Sequence, residues 1–210
     1  MKGMRNVIRL AGLAFVAIAA TSCGDAVRQG SSPVYLVIDA LKGIRGAAIP
    51  FPESDTLFSD VITNVTQPAP CSTDHPCPTI FADSGAVTLR APLKDIGNGT
   101  LAPTSNNEVT INQYRVHYIR TDGRSTPGLD VPYDFDGAVT GTIQAGLPLR
   151  LGFTLVRNVA KEESPLAQLR TSPNIINAIA QVTFYGTDRV GNAVSVMGQI
   201  DVNFGNFGDQ

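Results

Sequence analysis

The sequence predicts an all-β protein, an antiparallel β-sandwich with one short helix crossing between its two sheets. One observation behind this prediction is the alternation of apolar and polar residues over residues 178–204. Strand side chains point to opposite faces in turn, so a period of two residues indicates half-buried strands. The second observation is that the 20 Gly and 14 Pro fall mostly between apolar runs, as in short strands joined by turns.

Residues 178–204 form the clearest element, a long predicted hairpin with one dry face. The dry face carries Ala180, Val182 and Phe184 in the first arm and Val194, Val196, Ile200, Val202 and Phe204 in the second. The opposite face carries Gln181, Thr183 and Tyr185, then Ser195, Gln199, Asp201 and Asn203. Residues 187–192, Thr-Asp-Arg-Val-Gly-Asn, supply turn chemistry between the arms.

The remaining elements are assigned from shorter patterns. Further strands are predicted over residues 34–41, 56–66, 86–93, 109–120, 138–143 and 149–156. The first of these shows little alternation, which predicts that both of its faces are covered. Ser164 and Pro165 suit the cap and first position of a short helix, with Leu166 and Leu169 on one face.

The final hairpin resembles the last two strands of bacterial immunoglobulin-like or fibronectin type III-like domains. The resemblance is carried by Val182-x-Phe184, Thr187-Asp188, Gly191-Asn192 and Val194-x-Val196. The predicted short helix also falls where such folds cross between sheets. The resemblance implies an immunoglobulin-like sandwich, which we expect to comprise residues 33–210.

The start of the chain has the features of an export signal. Lys2, Arg5 and Arg9 give a positive start, and an apolar run follows over residues 10–20, shorter than a membrane span of about 20 residues. Small residues then precede Cys23, and this arrangement resembles a bacterial lipoprotein signal.

That resemblance implies that residues 1–22 are a signal peptide, that Cys23 carries lipid, and that residues 23–32 form a tether. We therefore expect an exported protein whose membrane partner is reached through this anchor, on the outer membrane or the periplasmic face. The alternative is ordinary cleavage near Ala19, which leaves Cys23 as a free thiol.

Cys71 and Cys77 are separated by five residues in a loop rich in Pro. In an oxidising compartment, two cysteines this close most simply form a disulfide bond. The alternative is a metal site built from Cys71, His75 and Cys77, although structural zinc takes four ligands and the sequence offers no fourth nearby.

Asp130, Asp134 and Asp136 are weak candidates for a calcium site. Calcium takes six to eight oxygen ligands, and Asp134 and Asp136 would point the same way in an extended segment. The spacing of known calcium loops is missing, and aspartate also initiates turns by bonding its own backbone. No other cofactor is indicated.

The composition narrows the possible functions. The formal net charge is −2 and only 16% of residues are charged, unlike a nucleic-acid binder with its basic stripe. No nucleophile elbow, phosphate loop or paired histidine motif occurs. These features favour a non-catalytic, lipid-anchored envelope protein, an adhesion or accessory module whose partner is another envelope protein.

The alternative hypothesis is a small-ligand or carbohydrate-binding sandwich, or an unrecognised hydrolase. Sugar binding requires exposed aromatic rings, for which Tyr114, Tyr118 and Tyr185 are the candidates. Tyr114 and Tyr118 share the predicted inner face of their strand, and the chain has no Trp. These two facts disfavour sugar binding.

Overall fold

The computed structural model describes residues 31–46, 52–94 and 104–208, and this part of the chain is mostly β. In chain order the strands are β1 (Val37–Ile44), β2 (Glu53–Ser54), β3 (Thr56–Asp60), β4 (Thr63–Val65), β5 (Cys77–Thr79), β6 (Asp83–Arg90), β7 (Val109–Arg120), β8 (Phe135–Ile143), β9 (Leu149–Val156), β10 (Ile176–Asp188) and β11 (Ala193–Gly205). The helical segments are a 3₁₀ turn at Ser105–Asn107, α1 (Asn158–Glu162) and a second 3₁₀ segment at Leu166–Thr171.

Two larger sheets enclose the core. One has the order β2-β1-β6-β9 and the other has the order β3-β11-β10-β7-β8, while β4 and β5 form a small separate ribbon. Neighbouring strands are antiparallel except for β3, which runs parallel to β11. Buried side chains from both sheets join one hydrophobic cluster, so the architecture is a β-sandwich.

The final hairpin is the centre of the five-stranded sheet, and its predicted register is confirmed. Ala180, Val182 and Phe184 are fully buried, and they pair with Ile200, Gly198 and Val196 of β11. The side chain of Phe184 contacts Phe153 of the other sheet edge to face, with ring centroids 5.2 Å apart. The hairpin therefore supplies the apolar surface that closes the two sheets together.

The first strand differs from its prediction. It begins at Val37 rather than residue 34, and most of its residues are half-buried rather than covered on both faces. A register shift between Ile38 and Ala40 places Asp39 in a bulge, which interrupts the alternation that the sequence would otherwise display. The strand also continues through Gly43, where a Cβ atom would lie only 2.8 Å from Leu57 Cβ.

The second predicted strand, residues 56–66, is two strands. The chain turns after β3, where the Asp60 carboxylate accepts a hydrogen bond from the Ile62 N–H. β4 then leaves the sheet and pairs with β5, a strand inside the segment predicted to be loop. The third predicted strand, residues 86–93, is β6 and covers Asp83–Arg90. The hydrophobic pattern did not reveal its start, because Asp83 is a buried aspartate held by polar partners.

The crossing between the sheets contains two helical segments rather than one. Leu166 and Leu169 are buried on one side as predicted, but their segment is a 3₁₀ helix that begins after Pro165, so Ser164 does not cap it. A spacing of three residues fits a 3₁₀ helix as well as an α-helix, and the sequence pattern could not separate them. α1 was not predicted from the sequence.

The sandwich has two ends, the turn end and the loop end. The turn end holds the β10–β11 turn, the start of β7 opposite Asp188, and the end of β8. The loop end holds the end of β7, residues 121–134, α1 and the end of β11. β10 has 13 residues, so the two ends lie roughly 40 Å apart at about 3.3 Å per residue.

Candidate functional site

The cysteine loop lies beside the β4–β5 ribbon at the loop end. The sulfurs of Cys71 and Cys77 are 2.07 Å apart, at the distance of a disulfide bond. Inside the loop, the His75 N–H donates to Ser72 Oγ and the Ser72 N–H donates to the His75 carbonyl. Sulfurs joined in this way are not thiolates, so the arrangement favours the disulfide over the metal site considered from the sequence.

His117 and Asp134 form the surface pair that most resembles a catalytic acid–base pair. His117 Nδ1 lies 2.8 Å from both carboxylate oxygens of Asp134, on the outer face of the five-stranded sheet. Arg115 lies 3.6 Å from the same carboxylate. The negative charge of Asp134 is therefore shared between the imidazole of His117 and the guanidinium of Arg115. The cross-strand neighbour of His117 on β10 is Gln181, an amide without nucleophilic character.

Each of the three aspartates considered for calcium faces a basic side chain, and Asp134 and Asp136 share Arg115. Asp130 accepts a hydrogen bond from the Thr126 N–H and lies 3.4 Å from Arg124, while Asp136 lies 3.9 Å from Arg115. Within the described ranges no group of three or more His, Cys, Asp or Glu side chains is placed to hold a metal ion. The calcium interpretation therefore has no support in this arrangement, since each carboxylate already faces a cation.

The tyrosines considered for sugar binding are mostly internal. Tyr114 and Tyr118 are 4% and 0% exposed, and only Tyr185 is half-buried on the outer face. The Tyr118 hydroxyl donates to the Leu155 carbonyl at 2.6 Å, and burial raises the pKa of this phenol far above its usual range. Tyr114 and Tyr118 thus join the two sheets and present no stacking surface for a sugar.

A buried charge cluster at the loop end is the largest feature that the sequence did not reveal. We define it as Arg45, Asp60, Asp83 and Lys161. Lys161 and Asp83 are each 1% exposed, with Lys161 Nζ 2.7 Å from Asp83 Oδ2. The same ammonium donates to the Asp60 carbonyl at 2.8 Å, and the Asp60 carboxylate lies 2.6 Å from Arg45. Two cations therefore meet two anions.

Neutral groups complete the buried charge cluster. Ser59 Oγ donates to Asp83 Oδ2 at 2.6 Å, and the Gly46 N–H donates to Oδ1 at 2.9 Å. Burial lowers the pKa of Lys161, although Asp83 and Asp60 favour its charged form. Asp60, Asp83 and Lys161 are almost fully buried, and Arg45 keeps 24% of its side chain exposed. Because the cluster ties α1 to β3, β6 and the end of β1, its role is structural.

A depression of about 660 Å³ lies beside β9, the edge strand of the four-stranded sheet. Its lining includes the small residues Ser84, Ala86 and Gly152, and space above Gly152 is open for 4 Å. Arg150 is the charged residue of the lining, and its guanidinium is paired with Glu53. A lining with one paired charge does not provide the matched acid and base that hydrolysis needs.

Comparison with protein families, with curated proteins and with solved structures gave no match to this chain. None of the helices in the described ranges is long and apolar enough to cross a membrane. The predicted lipidation site, Cys23, and the signal segment before it lie outside the described residues.

Proposed function

We propose that this chain is a lipid-anchored interaction module of the cell envelope, built on an immunoglobulin-like sandwich. The observation that carries the proposal is the opposite placement of chain entry and exposed apolar loops. The chain enters the domain at the turn end, where Ser32 bonds to Asp188. Four large apolar side chains lie exposed roughly 40 Å away at the loop end, given about 3.3 Å per strand residue.

The strand order supports the immunoglobulin-like part of the proposal. In such domains one sheet contains strands A, B and E, and the other contains G, F and C, which variable-type domains extend by C′. The order β1-β6-β9 corresponds to A-B-E, and the order β11-β10-β7-β8 corresponds to G-F-C-C′. The two helical segments occupy the connection from β9 to β10, the place of the E-to-F crossing.

The loop end offers the surface for a partner. Leu129 is 70% exposed and Tyr133 is 51% exposed in residues 121–134, and Ile175 and Val159 are exposed in other segments of the same end. Large apolar side chains gathered at one end of a domain are typical of a protein interaction site. An anchor at the turn end leaves this surface directed away from the membrane, toward another envelope protein.

The carbohydrate-binding or hydrolase alternative receives less support. Two of its three candidate rings are buried, and His117 faces a carboxylate and an amide instead of a hydroxyl or thiol. The interaction module requires neither a stacking platform nor an acid–base pair.

Two measurements test the proposal. Cys23→Ser is expected to move the protein from the membrane fraction to the soluble fraction, whereas Ser31→Ala in the same tether is expected to leave it in place. Retention of the Cys23→Ser protein, together with an unmodified Cys23 mass in the parent, would overturn the anchor.

The partner surface is tested by placing a photo-crosslinking amino acid at Leu129 in living cells. A matched control carries the same amino acid at Thr140, an exposed position in the middle of β8. A discrete adduct from position 129 and none from position 140 is expected. Equal labelling from both positions would contradict a specific surface at the loop end.

A further inference from the structure

The chain is fixed to the turn end as soon as it enters the sandwich. Ser32 is only 2% exposed, and its hydroxyl bonds to the Asp188 carboxylate while accepting a contact from the Val34 N–H at 3.4 Å. Val34 then forms a bridge with Leu93. Any force or constraint applied through the tether therefore reaches the domain at the β10–β11 turn.

The tether is short compared with the domain. Ser32 follows Cys23 by nine positions, and an extended chain spans at most about 3.5 Å per residue, or roughly 30 Å in total. This upper limit is smaller than the long axis of the sandwich. If Cys23 is held in a bilayer, the turn end is the part of the domain kept beside the membrane surface.

The turn end carries exposed apolar side chains at its tips. Val190 at the tip of the β10–β11 turn is 75% exposed, and Leu147 in the β8–β9 turn is 56% exposed. Tyr35, just after the entry point, is 47% exposed. Turn tips usually favour small and polar residues, so two aliphatic side chains and a tyrosine here are unusual for a surface that contacts only water.

The local structure holds these tips in place. Gly191 has φ +88° and donates to the Asp188 carbonyl at 3.1 Å, and the Asp188 carboxylate accepts from the Val190 and Asn192 N–H groups. Gly146 has φ +75° beside Leu147. The tips are therefore presented by closed turns, and little ordering is required for a surface to receive them.

Two arginines in the described part of this end are paired with carboxylates. Arg189 Nε lies 3.0 Å from Glu108 Oε2, and the Arg90 guanidinium lies 2.6 Å from Asp39 Oδ1. A contact made by this end would depend on apolar insertion more than on attraction to anionic headgroups.

We propose that the turn end docks on the lipid surface, with Val190 and Leu147 inserted at the headgroup–acyl boundary and Tyr35 at headgroup level. This inference rests on the proposed lipid anchor and adds an orientation to it: the sandwich stands on its turn end and presents its loop end outward. Aliphatic tips and an interfacial tyrosine suit the boundary between water and hydrocarbon.

The test uses the fact that the chain contains no Trp. Val190→Trp and Leu147→Trp each introduce a single reporter at the turn end, and Leu129→Trp introduces the same reporter at the loop end. Each variant is purified from the cells that produce it, with Cys23 in whatever state it has there. A lipidated Cys23 is reconstituted directly into phosphatidylcholine vesicles, and a free thiol is first coupled to a maleimide-bearing lipid.

Emission is then compared in vesicles with ordinary and with brominated acyl chains. We expect blue-shifted emission and at least twofold quenching by brominated lipid for the turn-end reporters, unchanged in 0.5 M salt, and no quenching for the Leu129→Trp reporter. Quenching at neither turn-end position, or only at low salt on anionic lipid, would overturn the inference. Because Cys23 is tethered in both preparations, failure of docking is distinguishable from failure of cellular lipidation.

Discussion

The hairpin core and the buried charge cluster both exclude most of the solvent but are built by opposite means. Phe184 is fully buried among aromatic rings, with Phe153 at 5.2 Å and Tyr114 at 6.3 Å between centroids. Lys161 is almost as buried, but it is surrounded by oxygen atoms of Asp83 and Asp60. The first environment gains free energy by leaving water, whereas the second must recover the cost of leaving it.

The difference also separates what a sequence reveals locally from what only a fold assembles. The apolar face of the hairpin repeats every second residue, so it is visible within 27 residues of chain. The cluster combines residues 45, 60, 83 and 161, which come from four separate parts of the chain and follow no period. Local pattern therefore predicts apolar burial well, and paired charges only after the topology is known.

The largest expected effect lies in the hairpin core. Phe184→Ala should lower the free energy of unfolding by about 3–5 kcal/mol, because the removed ring leaves a cavity between the two sheets. Denaturant unfolding followed by circular dichroism measures it. Phe184→Leu, which keeps more of the volume, should cost about 1.5 kcal/mol or less. Similar losses for both substitutions would show that the site is not packed as described.

In the buried charge cluster, one substitution should lower the free energy of unfolding and a second should restore part of the loss, which is not expected in an apolar core. Lys161→Met should cost about 3 kcal/mol, since breaking one buried pair leaves an uncompensated carboxylate on Asp83. Ser59 Oγ and the Gly46 N–H still serve that carboxylate, which keeps the loss near the lower limit.

Adding Asp83→Asn to Lys161→Met removes the stranded charge and should recover at least 1 kcal/mol of the loss. The lowered pKa of Lys161 is consistent with this recovery. Burial disfavours the charged ammonium more than its interactions with Asp83 and Asp60 favour it, so neutral residues at both positions should be tolerated. Additive losses in the double variant would contradict the pairing of Lys161 with Asp83.

Asp188, whose carboxylate accepts hydrogen bonds from the β10–β11 turn, should have an effect of intermediate size. Burial opposes its ionisation, but hydrogen bonds from Asn192, Ser32 and the Val190 N–H outweigh that effect and lower the pKa of the Asp188 carboxyl. A folded-state pKa below the unfolded value of about 3.9 gives stability that is present above that value and lost as pH falls through the folded pKa.

We therefore expect Asp188→Asn to cost about 1–2 kcal/mol at pH 6, with the difference from the parent shrinking below pH of about 4. Unfolding titrations at several pH values measure the difference, in which other acidic groups common to both proteins cancel. A difference independent of pH between about 6 and 2 would mean that the carboxylate charge is not involved.

Much of the sandwich could be predicted from the sequence, because its longest strands have one wet face. β7 and β9 occupy the predicted residues, and the hairpin register is as expected. The bulge at Asp39 hid the alternation of the first strand, since one extra residue reverses the faces on either side of it. The candidate surfaces could not be predicted from the sequence. Only the fold shows that the exposed turn tips lie at the same end as the entry point of the chain.

The smallest predicted effect checks the comparison most strictly. Thr183 precedes Phe184 in β10 but points to the half-exposed outer face, where it pairs with Met197 and Arg115 across the neighbouring strands. Thr183→Ala should cost under about 0.5 kcal/mol, since it removes a methyl and a hydroxyl from a surface that water already reaches. A shift of one residue in strand register exchanges the two faces completely. If Thr183→Ala proved as damaging as Phe184→Ala, this face of the five-stranded sheet would have to be covered, either by another part of the chain or by a bound partner.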